Sequence, residues 1–384
     1  MRGIQGATGY VRAIRAAALA ATVALSGCGS MASNQPLPLR VQVSLHRRLL
    51  RHTLAWDRCW GGQHWTLPGC GPITIQGGKL TLQLAAAWGG GVTSLRYRGQ
   101  QLVDHHDTGR LVQLALRDDC SESWNPTQGG GASSGGGTGV GSPTRSLHVT
   151  RTQVRLTAQM RDWQTDALTH VFVTQSLTIV APAVVRLRYT VAGKGIAAAH
   201  LQPAPTCPAD EMPAAYVDHR LTSTYTYTGN RPWTGAALTR IHLPRTHLSP
   251  QGGGNVTRLT HPDERWVARV NPANGIGVAL FIPSPLPHGN WPVASWMRMH
   301  PRPNYIGLHV PLVIRNGVIA RETVYLVAGT LPGIRRRVYR LRNALCRAAP
   351  KRSRTTEPLY RQLASGGPPP LCAGPIPAAS PAGG

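Results

Sequence analysis

Thr169-His170-Val171-Phe172-Val173-Thr174-Gln175-Ser176-Leu177-Thr178-Ile179, followed by the run Val184 to Val191, is the passage that decides the fold. Val171, Val173, Leu177 and Ile179 recur every second residue or a multiple of it, with polar side chains between them. In an extended chain successive side chains point to opposite faces, so this alternation marks half-buried strands and excludes an amphipathic helix. Working outward, Leu80, Leu82 and Leu84 alternate with Thr and Gln, and Leu147, Val149, Val154 and Leu156 sit among Arg and Thr. Trp266 to Val270, Gly277 to Ile282, Ile306 to Val313 and Thr323 to Val327 continue the series, with Gly, Pro and Asn clusters between them. Many short strands with turn residues between them predict an all-β sandwich or barrel.

The exception is Gly333 to Arg347, where Ile334, Val338, Leu341 and Leu345 recur at helical spacing with arginines on the other face. It predicts a short C-terminal helix, packed as a cap on the sheet edge or laid against anionic headgroups. Gln128 to Pro143 is nearly all Gly, Ser and Ala, the composition of a long mobile loop.

The 384 residues carry a formal net charge of +26. Only three of the basic residues are lysines, Lys79, Lys194 and Lys351, and the Arg, Ala, Gly and Pro excess has the character of GC-rich codon usage. Codon usage does not explain why there are so few carboxylates, so an anionic partner fits the balance. Nucleic acid is the poorest such partner, because no helix-turn-helix, zinc finger or RNP-type strand is present. No pattern specifies an oligomeric state, a cofactor or a metal site. Asp118 and Asp119 with Asn125 could supply hard oxygens to Ca²⁺, but adjacent aspartates are common in turns.

The chain opens with Arg2, Arg12 and Arg15 and no acid, then a small apolar run from Ala16 to Leu25. That is a charged start and a greasy core too short to span a membrane, which takes about twenty apolar residues. Leu25-Ser26-Gly27-Cys28 looks like the lipobox of bacterial lipoproteins, with Cys28 as the acylated (palmitate-bearing) residue. Gly29 and Ser30 lack the retention Asp of inner-membrane lipoproteins, which favours the outer membrane, facing periplasm or surface. The expected organisation is a signal peptide at 1–27, a lipidated linker and leading segment at 28–74, a β-sandwich at 75–349 and a disordered tail at 350–384. The other cysteines, Cys59, Cys70, Cys120, Cys207, Cys346 and Cys372, suggest disulfides outside the cytoplasm. Cys59 and Cys70 form the natural local pair; the competing reading is that some are free thiols, Cys372 in the tail more readily than the others.

With so few carboxylates, Asp104, Asp107, Asp118, Asp119 and Glu122 stand out as a cluster. The segment carries Asp107, Arg110 and Gln113, then Trp124, Asn125 and Gln128, an aromatic with planar polar groups as sugar recognition needs. A polar turn region satisfying its own backbone is the competing reading. A second cluster, Asp210-Glu211-Met212-Pro213-Ala214-Ala215-Tyr216, leads to Tyr225, Tyr227 and Pro232-Trp233. Its Glu211 is read as lying in a loop before a proline.

The stretch around Gly109-Arg110 and Gln113, the Trp124-Asn125-Pro126-Thr127-Gln128-Gly129 motif, the Glu211-Met212-Pro213-Ala214 turn with Tyr216, Pro232-Trp233 and the Gly329 to Arg335 region resemble exported proteins with a galactose-mutarotase-like β-sandwich. The resemblance covers roughly residues 75 to 345. It implies a large antiparallel supersandwich with a short C-terminal helix, in a group that includes aldose epimerases, carbohydrate-binding domains and polysaccharide lyases or hydrolases. Aldose epimerases use a His and a Glu on facing strands; their His motif is not matched here, and His170 reads as a packed or surface histidine.

The expectation is therefore an envelope lipoprotein that binds or processes a poly- or oligosaccharide, an acidic one fitting the charge. If it is catalytic as a lyase, hydrolase or epimerase, Glu211 or Asp107 moves a proton and Arg110 neutralises a substrate carboxylate. Gln113, Trp124, Asn125, Gln128, Tyr216 and Trp233 would hold the substrate. The alternative is a non-catalytic binding or scaffolding lipoprotein. A weaker third reading is a basic body clamped on anionic lipid.

Overall fold

The computed structural model describes residues 72–104, 111–118, 121–124, 141–162, 167–196, 210–242, 256–258, 263–283, 292–296, 304–310, 312, 314–348 and 371–372, all within the compact unit Ala55–Gly384. Cys28, Cys59, Cys70 and most of the Gly-rich stretch lie outside the described residues.

The strands, numbered in chain order, begin with β1 (Ile73–Gly77), β2 (Leu80–Ala85), β3 (Gly91–Tyr97), β4 (Gln100–Gln101), β5 (Val112–Asp118) and β6 (Ser121–Trp124). Next come β7 (Thr144–Val149), β8 (Gln153–Arg161), β9 (Leu168–Ala181), β10 (Val184–Gly193), β11 (Asp210–Val217) and β12 (Ser223–Thr226). They are followed by β13 (Thr239–Ile241), β14 (Val256–Arg258), β15 (Trp266–Val270), β16 (Ile276–Phe281), β17 (Pro292–Trp296) and β18 (Asn304–Val310). β19 (Gly317–Thr330) runs into α1 (Leu331–Ala348).

These strands form two antiparallel sheets. One has ten strands in the order β1-β2-β3-β5-β11-β18-β17-β14, with β4 on β3 and β6 on β5; the other has nine, β13-β12-β15-β16-β19-β10-β9-β8-β7. The all-β class, the antiparallel sheets and the C-terminal helix are those expected from the sequence.

Alternation fixes the register. Val173 pairs with Val191 and Leu177 with Leu187 across β9 and β10, and these four side chains all enter the main core. A slip of one residue would turn every one of them to the opposite face. Across the core, Leu82, Leu95, Leu114, Met212 and Ile306 of the ten-stranded sheet join Leu156, Leu187 and Leu326 of the nine-stranded one. Each such aliphatic side chain contributes about 1.5–3 kcal/mol on burial. A buried amide interrupts this apolar layer: Gln175 Nε2 donates to the carbonyls of Gly89 (3.1 Å) and Gly90 (2.7 Å). Gly90 sits at φ 81°, and a Cβ there would lie 2.1 Å from that nitrogen, so glycine is required on both counts.

The helix expected over Gly333 to Arg347 spans Leu331–Ala348 and lies on a sheet face rather than a sheet edge. Ile334 and Val338 pack with Trp266, Ala268, Phe281, Tyr325 and Val327, the outward residues of β15, β16 and β19, in a second cluster. A polar latch ties it down. The buried Glu264 carboxylate accepts from Trp233 N (2.9 Å), Arg335 Nη2 (2.9 Å) and the Tyr339 hydroxyl through Oε1, and from Trp266 Nε1 (3.0 Å) through Oε2. Burial works against the Arg335 charge, but the bond to Glu264 outweighs it and holds that guanidinium above its ordinary range.

Of the cysteines expected to form disulfides, Cys372 is bonded to Cys346 on α1. Leu371 packs against the second cluster, and its carbonyl accepts from Arg342 Nε at 2.7 Å. Spacing alone leaves fifteen pairings open for six cysteines, so this link was not legible in the sequence.

Candidate functional site

The outward face of the ten-stranded sheet brings together three of the residues singled out in the sequence, Gln113, Glu211 and Tyr216. On β5, Val112, Leu114 and Leu116 point into the core, which sends Gln113 and Ala115 the other way. On β18, Ile306 and Leu308 point inward, leaving Tyr305 and Gly307 outward. β11 needs one extra residue to match. Glu211 pairs with Ala115 and Ala214 with Gln113, so three steps along β11 face two along β5. This β-bulge, containing the cis Met212–Pro213 bond, places Glu211 on the same face as Ala214 and Tyr216.

The sequence reading of Glu211 as a loop residue is thereby corrected: Asp210–Val217 is an internal strand between β5 and β18. Proline argues against a central strand because it lacks an N–H, and the bulge is the arrangement that tolerates it. The Val112–Asp118 and Ser121–Trp124 stretches, grouped in sequence as polar loop, are likewise paired strands.

Glu211 is 8% exposed, Gln113 1% and Tyr305 2%. The Tyr305 hydroxyl donates to Glu211 Oε1 at 3.0 Å, and the Tyr305 ring meets Tyr216 edge-on with centroids 5.3 Å apart. Small residues make the floor, Ala115, Ala214 and Gly307. Gly307 is there for a reason: a Cβ on it would stand 2.1 Å from the Tyr305 oxygen, whose ring lies along its own strand to reach Glu211. At the end of β18, Asn304 Nδ2 donates to the carbonyls of Asp218 and His219 just after β11. Burial alone would raise the Asp218 carboxyl, but its paired bonds with Arg220 (2.8 and 3.0 Å) outweigh that and hold it below its usual range.

Of the residues chosen from sequence, Glu211, Gln113 and Tyr216 share this face. Trp124 does not offer an open ring. It is 7% exposed and packs in the main core, opposite Leu116. Trp233 belongs to the helix side of the other sheet, 1% exposed, with Tyr339 edge-on at 5.4 Å and the Arg342 guanidinium 4.8 Å above its ring. Asp107, Arg110, Asn125 and Gln128 lie outside the described residues. Tyr305 was missed from sequence. Its only signal is Gly307 two residues later, an interior-strand glycine that marks a close approach.

Chemically, the face holds a carboxylate with a phenol bonded to it, a carboxamide one register step away and a second tyrosine. Such a set can accept and donate to sugar hydroxyls, and the carboxylate can carry a proton. Among the described residues no group of three or more His, Cys, Asp or Glu converges as a metal site would require.

No family model and no curated protein matches the chain. Solved structures do. The Slr1438 protein of Synechocystis sp. PCC 6803 is 12% identical, with TM-score 0.40, over 67% of this chain and 96% of that one. A GalM/aldose epimerase homologue from C. elegans is 12% identical, with TM-score 0.44, over 68% of this chain and 99% of that one. The heparan sulfate lyase HepC from Pedobacter heparinus is 6% identical, with TM-score 0.37, over 68% of this chain and 35% of that one.

Proposed function

We propose that this chain binds and processes a poly- or oligosaccharide on the outward face of the ten-stranded sheet, with Glu211 as the group that moves a proton. The observation that carries the reading is the buried Glu211–Tyr305 pair beside Gln113 on the outward face of the ten-stranded sheet. Gln113 and Tyr216 bond and flank the sugar, and Arg110 and Asp107 serve a substrate carboxylate and a second proton transfer. The protein is held in the cell envelope by lipid on Cys28, a reading supported by Leu25-Ser26-Gly27-Cys28 after a short apolar run.

The test is product analysis by chromatography after incubating the purified full-length chain with a panel of bacterial and plant polysaccharides. Glu211→Gln keeps the shape and removes the base, so turnover falls by about 100-fold or more. Tyr305→Phe removes one hydrogen bond and costs roughly 10-fold. Unchanged turnover in Glu211→Gln, with the fold intact by circular dichroism, rules Glu211 out of the chemistry. A non-catalytic binder is the second reading, favoured by the bond that already occupies Glu211 Oε1. It gives retention without product, and Glu211→Gln then changes affinity alone.

A further inference from the structure

The other sheet has an outward face that the Glu211 reading does not use. Among the described residues, α1 covers it over β15, β16 and β19 and reaches Val184 at the start of β10, leaving β7, β8 and most of β9 and β10 uncovered. Those four strands contain Arg145, Arg155, Arg161, Arg186 and Arg188 and not one Asp or Glu. Register places the charges in rows. His148, Arg155, Ser176, Arg188 and Thr323 stand directly opposite one another on β7, β8, β9, β10 and β19. The next row is Ser146, Thr157, Thr174, Thr190 and Arg321, and on the other side lie Gln153, Thr178 and Arg186.

All point away from the core, because Val154, Leu156, Val173, Leu177, Leu187 and Val324 between them point into it. Arg155, Arg188 and Arg321 are exposed, and Arg186 Nε is buried with no hydrogen-bond partner. Glu322, the one acid on β19, pairs with the inward Tyr189 and so faces the other way. Strands lie about 4.8 Å apart, so Arg155 and Arg188, two strands apart in one row, are about 10 Å from each other.

We propose that this face is a second binding site, for a linear acidic polysaccharide laid across the strands. Arg155, Arg188 and Arg321 would grip successive sulfate or carboxylate groups, and the hydroxyls of Ser176, Thr190 and Thr323 would bond between them. Uncompensated arginines with interleaved hydroxyls match such a polymer in charge and in hydrogen-bonding capacity. An anionic membrane is the poorer match. Surface insertion takes apolar side chains beside the charges, and the exposed large apolar residues among those described, Val149, Leu168, Val180 and Val318, stand at strand ends outside the rows.

The test compares two triple variants of the full-length chain that lose equal charge. Arg155→Ser with Arg188→Ser and Arg321→Ser strips the rows; Arg336→Ser with Arg340→Ser and Arg347→Ser strips the exposed face of α1. Both are run on immobilised heparin with a salt gradient, on soluble polygalacturonate, and on phosphatidylglycerol vesicles. The sheet variant elutes at clearly lower salt and binds either polymer at least ten-fold more weakly. The helix variant elutes with the parent chain, and melting temperatures are unchanged in both triples. Equal loss in both triples reduces the effect to net charge and overturns the proposal. So does loss on vesicles with polymer binding intact, or failure of the parent chain to hold either polymer at physiological salt. Turnover of Glu211→Gln on the polysaccharide panel is read separately from the elution of the two triples, so the two sites stand or fall independently.

Discussion

At the scale of single residues, the candidate site depends on an atom that is missing. Gly307 lets the Tyr305 ring lie flat along β18, and a methyl group in its place would overlap the phenolic oxygen and approach the Pro213 carbonyl at 3.0 Å. Gly307→Ala is expected to swing Tyr305 off Glu211, losing one hydrogen bond and lowering stability by about 1–2 kcal/mol in chemical denaturation. Sugar affinity should fall with it, whereas Gly99→Ala, strained by its φ of 82° but with open space around its Cβ position, should cost stability and leave affinity alone. Glu211 was legible in the sequence because carboxylates are so scarce that each asks for a reason. Tyr305 was not, since the residue it serves lies 94 positions earlier and only the pairing of β11 with β18 joins them. Trp124 and Trp233 misled in the opposite direction: an indole suits a sugar platform and a core equally well, and in both cases burial decided for the core.

At the scale of elements, alternation carried most of the fold. Strands β8, β9, β10, β16 and β19 fall where Leu, Val and Ile recur at period two. The failures share a cause, which is that local signals were outvoted by pairing. Pro213 reads as a breaker and sits in a central strand, because a bulge absorbs it. The helix was legible from its stripe, but not its staple. The Cys346–Cys372 bond closes a separation of 26 residues, and removing such a link costs about 3 kcal/mol on loop-entropy grounds. Reducing the protein, or substituting Cys372→Ser, is expected to lower the melting temperature by several degrees in calorimetry and to expose α1 first in hydrogen exchange. No change on reduction would show that Leu371 and the Glu264 latch hold the helix unaided.

At the scale of the whole molecule, the sequence marked the chain as basic and β-rich but could not place the charge. Arginines spread along four strands become a patch only when register lines them up, and register is a property of pairs. The proposed anchor is legible from the first residues alone, and it is tested on the intact cell. The chain should partition with membranes and carry fatty acyl mass on an N-terminal Cys28, while Cys28→Ser should leave the membrane fraction without loss of the β body's circular dichroism signal. Membrane retention of that variant at low salt, lost at high salt, would point to the basic protein surface instead of a lipid.

The bond between Cys346 and Cys372 has one more consequence, which concerns timing. Every strand pairing and every buried leucine can form as soon as the chain is free to fold, but two thiols join only where an electron acceptor is at hand. The finished molecule is thus completed by its surroundings, and where it matures decides how firmly its last helix is fastened.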